Sequence, residues 1–164
     1  MKTLVIVRHA KSSWESASLS DFDRPLNKRG QHDAPIMARR IMEKGVRPDL
    51  LVSSPAMRAI TTAEIFIDTM ALPQEQLREN RDIYEAGLNE LVRIVRELPE
   101  SAETVVLFGH NPGITLLGNF LSGEHIDNVV TCGALCVNME AVSWKEAGKE
   151  SGKLLWYEYP KKTE

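Results

Sequence analysis

Short apolar, β-branched runs alternate along this chain with longer stretches whose apolar residues recur at helical spacing. Residues 4–7 read as a strand, residues 50–52 as a very short one and residues 105–108 as a buried one. Near the C-terminus, Ala134–Met139 and residues 154–159 are two further strand candidates. Only a short polar turn region separates them, so an antiparallel hairpin at the sheet edge is expected. Residues 36–42 belong to a helix, with Ile36, Met37 and Ile41 on one side. Pro35 sits badly inside a helix that starts at Asn27, which predicts either a kink or a fresh start near Asp33. A second helix is expected over residues 57–70, with Ser54 as its cap and Pro55 in its first turn. Leu88, Leu91, Val92, Val95 and Leu98 mark a third. Asn111-Pro112 repeats the cap-plus-proline pattern ahead of a fourth that runs to Leu121. This alternation argues for an α/β fold: a three-layer sandwich with a mostly parallel central sheet and an antiparallel edge.

The chain has 164 residues, enough for one core, and no repeat, low-complexity tract or linker marks a boundary. One domain over residues 1–164 is therefore expected. Charge then narrows the partners. A formal net charge of −3 exerts no global pull toward nucleic acid or anionic lipid, so neither is expected as a partner. Any anion must be held by a few cations placed locally. No run approaches the roughly 20 apolar residues that span a bilayer. The apolar start of the chain is too brief for a secretory signal, so the expected compartment is the cytoplasm. Cys132 and Cys136 share one face at strand or helix spacing and read as buried, reduced thiols. Oligomeric state is not legible.

Candidate chemistry gathers where three predicted strands end. The first ends in Arg8-His9, the second in Ser53-Ser54-Pro55 with Arg58 one helical turn on, and the third in Gly109-His110. The carboxyl ends of parallel strands share one edge of an open α/β sheet, and ligands bind there. Two arginines and two histidines would thus meet in one crevice, faced by the N-termini of two helices. Such a set suits a phosphoryl group, because guanidinium forks engage its oxygens in pairs. No P-loop, aspartate cluster or metal-ligand set accompanies them, so neither metal nor cofactor is expected and protein cations would neutralise the charge. Among arginines the charged form of a histidine is disfavoured, which leaves a lone pair able to attack phosphorus. Each residue taken singly also has a plain reading as a surface or salt-bridged group. Trp14 either lines the mouth of the site or packs locally, and His32 and His125 read as surface residues.

The same segments resemble a known family. Val7-Arg8-His9-Ala10 is similar to the first signature of the histidine phosphatase superfamily, with alanine in place of its usual glycine. Ser53-Ser54-Pro55, Arg58-Ala59 and Thr62 resemble its second signature, and Gly109-His110-Asn111-Pro112 its third. The short length, Asp23-Arg24-Pro25-Leu26 and Ile83-Tyr84-Glu85-Ala86 most resemble the small SixA-type phosphohistidine phosphatases. The resemblance implies a phosphoglycerate mutase-like fold, His9 as nucleophile, and Arg8, Arg58 and His110 cradling the phosphoryl group. Glu85 is the candidate general acid, read equally well as a solvated cap of the helix after it. Arg24 and Asn111 are candidates for contacting the substrate, Arg24 alternatively pairing with Asp21 or Asp23. The substrate would be a phosphorylated protein or a small phosphorylated molecule, and phosphate ion itself would occupy the site. The alternatives are a small-metabolite phosphomonoesterase and a non-catalytic phosphate-binding module.

Overall fold

A computed structural model describes residues 1–162 of the chain. In chain order its elements are β1 (Lys2–Arg8), α1 (Lys28–Glu43), β2 (Leu50–Ser53), α2 (Met57–Thr69) and β3 (Leu77–Glu79). They continue with α3 (Leu88–Arg96), β4 (Thr104–Gly109), α4 (Gly113–Ser122), β5 (Ala134–Met139) and β6 (Gly152–Glu158). The strands form one sheet in the order β3-β2-β4-β1-β5-β6. β1, β2, β3 and β4 are mutually parallel, whereas β5 runs antiparallel to both β1 and β6. The expected antiparallel pair at the edge is therefore present.

Side chains alternate across a strand, and here both faces are covered. Leu4, Ile6, Val105, Leu107, Leu135 and Val137 join one core with Leu91, Val95, Ile114, Leu117 and Trp144. Val5, Val7, Val106, Phe108, Ala134 and Cys136 join the other with Met37, Ile41, Phe66 and Ile67. Helices α1 and α2 thus cover one face and α3 and α4 the other, giving the three layers. Cys132 and Cys136 are both buried and free. Among the described residues no helix is long and apolar enough to cross a membrane.

Several local expectations change. α1 neither breaks nor restarts at Pro35: it runs from Lys28 to Glu43 with Asn27 as its cap, Oδ1 accepting from Gly30 N at 2.8 Å. Its buried stripe of Ala34, Met37, Ala38 and Ile41 holds it through the missing donor. α2 begins at Met57 as expected, but its cap is Ala56, not Ser54, and no side chain makes a capping bond there. Ser54 instead accepts from Ala56 N and turns its hydroxyl to His110, so the tertiary site claims the capping group. α4 likewise has Pro112, not Asn111, at its cap. Asn111 faces away from capping, because its amide oxygen accepts from the Thr115 hydroxyl. β3 is a strand the apolar pattern missed, and β6 begins and ends earlier than residues 154–159 suggested.

Candidate active site

The three parallel strands β2, β4 and β1 lie side by side, so their carboxyl ends open onto one crevice of about 350 Å³. Arg8, His9, Lys11, Ser12, Trp14, Arg24, Arg58, His110, Asn111 and Thr131 line it. Backbone bonds beyond the strands fix its floor. His9 N donates to Gly109 O at 3.2 Å, Cys132 N to His9 O at 3.0 Å, and Ser54 N to Phe108 O at 3.1 Å. The buried Thr62 hydroxyl then joins two of the motifs, accepting from Ala10 N at 3.0 Å and donating to Arg58 O at 2.7 Å.

His9 is 7% exposed, and its Nδ1 lies 2.7 Å from the carbonyl of Ala10. A carbonyl only accepts, so Nδ1 carries the proton and Nε2 keeps its lone pair. Arg58 Nε points at that lone pair from 3.3 Å. Burial outweighs the bond to the Ala10 carbonyl and, with the neighbouring His110, Arg58 and Arg8, lowers the His9 pKa to about 3. The imidazole is thus neutral, with its lone pair on Nε2.

His110 stands beside it, ring centroids 5.2 Å apart, with its pKa lowered to about 4 by burial and by Arg58. Its Nε2 is 2.8 Å from Ser54 Oγ. Ser54 Oγ, which also accepts from Ala56 N, is thus the hydrogen-bond partner of that ring nitrogen. The other ring nitrogen of His110, Nδ1, is buried and has no hydrogen-bond partner among the described residues, and neither has Arg8 Nε. Unpaired buried polar groups are rare and costly, and both of these residues line the crevice beside His9, where an oxyanion would satisfy a donor.

Arg58 is 7% exposed and spans the crevice. Its Nη1 donates to Asp21 O at 2.6 Å and its Nη2 to Asp21 Oδ2 at 3.0 Å. The same carboxylate accepts from Tyr84 Oη at 2.8 Å and from Arg24 Nη1 at 2.8 Å. Partial burial raises the Asp21 pKa, but the bonds from Tyr84 and Arg58 and the charges of Arg58 and Arg24 outweigh it, so the carboxyl lies below its usual range. Asp21 therefore acts as an ionised clasp that aims Arg58.

Arg24 is 8% exposed, lies over the Trp14 ring at 3.4 Å, and bonds Ser12 Oγ and Ser13 O. Its donors are thereby engaged in ordering the loop that bears Trp14, and its pairing with Asp21 is the alternative named from sequence. Asn111 lines the crevice and fastens the loop before β5, donating to Asn128 Oδ1 at 2.7 Å and Val129 O at 2.8 Å. Arg8 Nη1 holds the same Val129 carbonyl at 3.0 Å. Glu85 is exposed, in a left-handed conformation with φ 62°, and is not among the lining residues. From that segment Tyr84 reaches the site instead, its ring edge-on to His110 with centroids 5.6 Å apart. In the sequence Tyr84 stands only within the segment 83–86 and Asp21 only as a pairing partner of Arg24, and neither is placed at the site. Among the described residues, no group of three or more His, Cys, Asp or Glu is placed to hold a metal ion.

Comparison with known proteins gives the family and the fold. A protein of Arabidopsis thaliana, described as uncharacterized and chloroplastic, is 29% identical over 167 residues, covering 94% of this chain and 74% of its own. A 2,3-bisphosphoglycerate-dependent phosphoglycerate mutase of Thermobifida fusca is 36% identical over 74 residues, which are 44% of this chain but only 30% of the mutase. In fold, the SixA structure of Agrobacterium tumefaciens superposes with a TM-score of 0.81 at 24% identity, over 97% of this chain and 98% of that one. A protein histidine phosphatase SixA complexed with tungstate superposes with a TM-score of 0.82 at 22% identity, over 96% and 97%. The sequence model of the histidine phosphatase superfamily (branch 1) matches residues 4–104, which carry the first two of the three motifs. This chain belongs to the histidine phosphatase superfamily.

Proposed function

We propose that this chain is a phosphatase that removes phosphoryl groups from phosphohistidine on proteins, through a covalent phosphohistidine on His9. The observation that carries the reading is the neutral His9 ring, its proton tied to Ala10 O and its Nε2 lone pair facing Arg58. In the first step the Nε2 lone pair forms a bond to phosphorus as the bond to the leaving group breaks. Arg8, Arg58 and His110 meet the oxygens of the transferring group. In the second step water attacks phosphorus, the bond to Nε2 breaks, and phosphate leaves with the ring neutral again. Splitting one displacement into two easier ones is the gain of a covalent route. Free phosphate is read as a ligand of the same crevice.

The leaving group is inferred from the lining. Among the described residues that line the crevice there is no carboxylate, and Glu85 stands outside it. An alkoxide leaving from a sugar phosphate needs an acid, a contribution worth about 10²–10⁴ in rate. A departing imidazole needs far less help. The crevice is also open past the 78% exposed Trp14, which suits a phosphohistidine presented on a protein surface. Steady-state kinetics with a phosphohistidine peptide and with sugar phosphates separate the readings. The peptide is expected to show a kcat/KM higher by about 10² or more, and equal or reversed rates would sink the assignment of the leaving group.

A further inference from the structure

A second groove of about 290 Å³ adjoins the catalytic crevice, and Lys11 and Thr131 line both. The topology explains the adjacency. β5 is reversed relative to β1 and β6 is reversed again, so the loop before β5 and the residues after β6 reach the same sheet edge as His9. The first turns of α1 form the opposite wall, through Arg29 and Asp33. Lys11, Arg29 and Lys161 supply three cations there, against one carboxylate. That carboxylate, Asp33, is 7% exposed and already accepts from Arg29 Nε at 3.2 Å. Neither Lys11 nor Lys161 takes part in an ion pair among the described residues. The groove is thus a local positive trough on a chain whose net charge is −3, with the half-buried Tyr159 providing apolar surface.

We propose that this groove is a docking site for an acidic polypeptide segment flanking the phosphohistidine of the substrate protein. The inference rests on the phosphatase reading for the identity of the phosphorylated residue, but the groove and its charge stand apart from it. Charge complementarity of this kind steers encounter and selects partners. Exposed pairs each contribute modestly, so three together are expected to alter kcat/KM about ten-fold at low salt. Added salt is expected to erase the effect as screening lengths shorten.

The test compares two phosphohistidine peptides, one flanked by glutamates and one by lysines, on the full chain and on Lys161→Glu and Arg29→Gln. Lys161 is exposed, so its substitution leaves folding intact even if Arg29→Gln disturbs Asp33. Phosphoramidate turnover, which needs only the crevice, is measured in parallel and is expected to be equal in all three proteins. Preference for the glutamate peptide in the parent, lost in the variants and at high salt, supports the groove. Equal rates on both peptides with normal phosphoramidate turnover overturn the groove and leave the phosphatase standing. If phosphoramidate is not turned over at all, the phosphatase reading fails, and the groove is judged by fluorescence anisotropy with the unphosphorylated glutamate peptide. Salt-sensitive binding weakened by Lys161→Glu then supports it, and absence of binding overturns it.

Discussion

At the scale of single residues the central fact is a histidine kept neutral by its surroundings. His9 is buried among cations, and its pKa of about 3 lies well below the 6.5 of a free side chain. The consequence for stability has a definite sign. Between those values the unfolded chain binds a proton at this position and the folded chain does not, so stability rises with pH and is lost as pH falls below about 6.5. The melting temperature of the parent protein is therefore expected to fall more steeply from pH 7 to 4.5 than that of His9→Ala, in thermal melts followed by circular dichroism. Parallel curves would show that the ring is not held neutral. Arg8, His9, Arg58 and His110 were legible in the sequence because each directly follows a strand or opens the next helix. Asp21 and Tyr84 were not. They reach Arg58 and His110 through loop geometry, which no local pattern encodes. Glu85 reads in sequence as well placed, but the chain turns it outward while its neighbour Tyr84 packs inward.

At the scale of elements, close approach of α1 to the chain after β1 sets the position of the loop that bears His9. Gly30 lies against the backbone of Lys11, and a Cβ there would collide with the Lys11 carbonyl oxygen. Neither atom is the end of a flexible side chain, so helix or loop must move. Gly30→Ala is expected to destabilise the protein by about 1–3 kcal/mol, despite the better helix propensity of alanine. The urea midpoint checks this, and an unchanged midpoint would mean that the contact is slack. The long, doubly covered strands were legible because both faces are apolar. β3 was not, since Leu77 is half-buried and Arg78 and Glu79 are exposed, and its only definition is pairing with β2. The capping patterns at Ser54-Pro55 and Asn111-Pro112 misled for one shared reason. Both polar side chains are drawn into tertiary hydrogen bonds at the site, which local propensity does not register.

At the scale of the whole molecule, function follows from the sheet. Because β1, β2 and β4 are adjacent and parallel, residues as far apart as His9, Arg58 and His110 meet in one crevice. Reversal of β5 brings the Val129 to Thr131 loop to the same edge, where Arg8 and Asn111 hold it and where the crevice passes into the cationic groove. The mostly parallel order was legible from alternating elements, whereas this contribution of the reversed strand was not. The measurement that tests the central claim most directly is covalent trapping. The protein is incubated with phosphoramidate, quenched in alkali to preserve phosphoramidate linkages, and mapped by mass spectrometry beside His9→Ala. A phosphoryl group on His9, absent from the variant together with turnover, is the predicted result. No adduct on His9, with turnover undiminished in His9→Ala, would contradict the account.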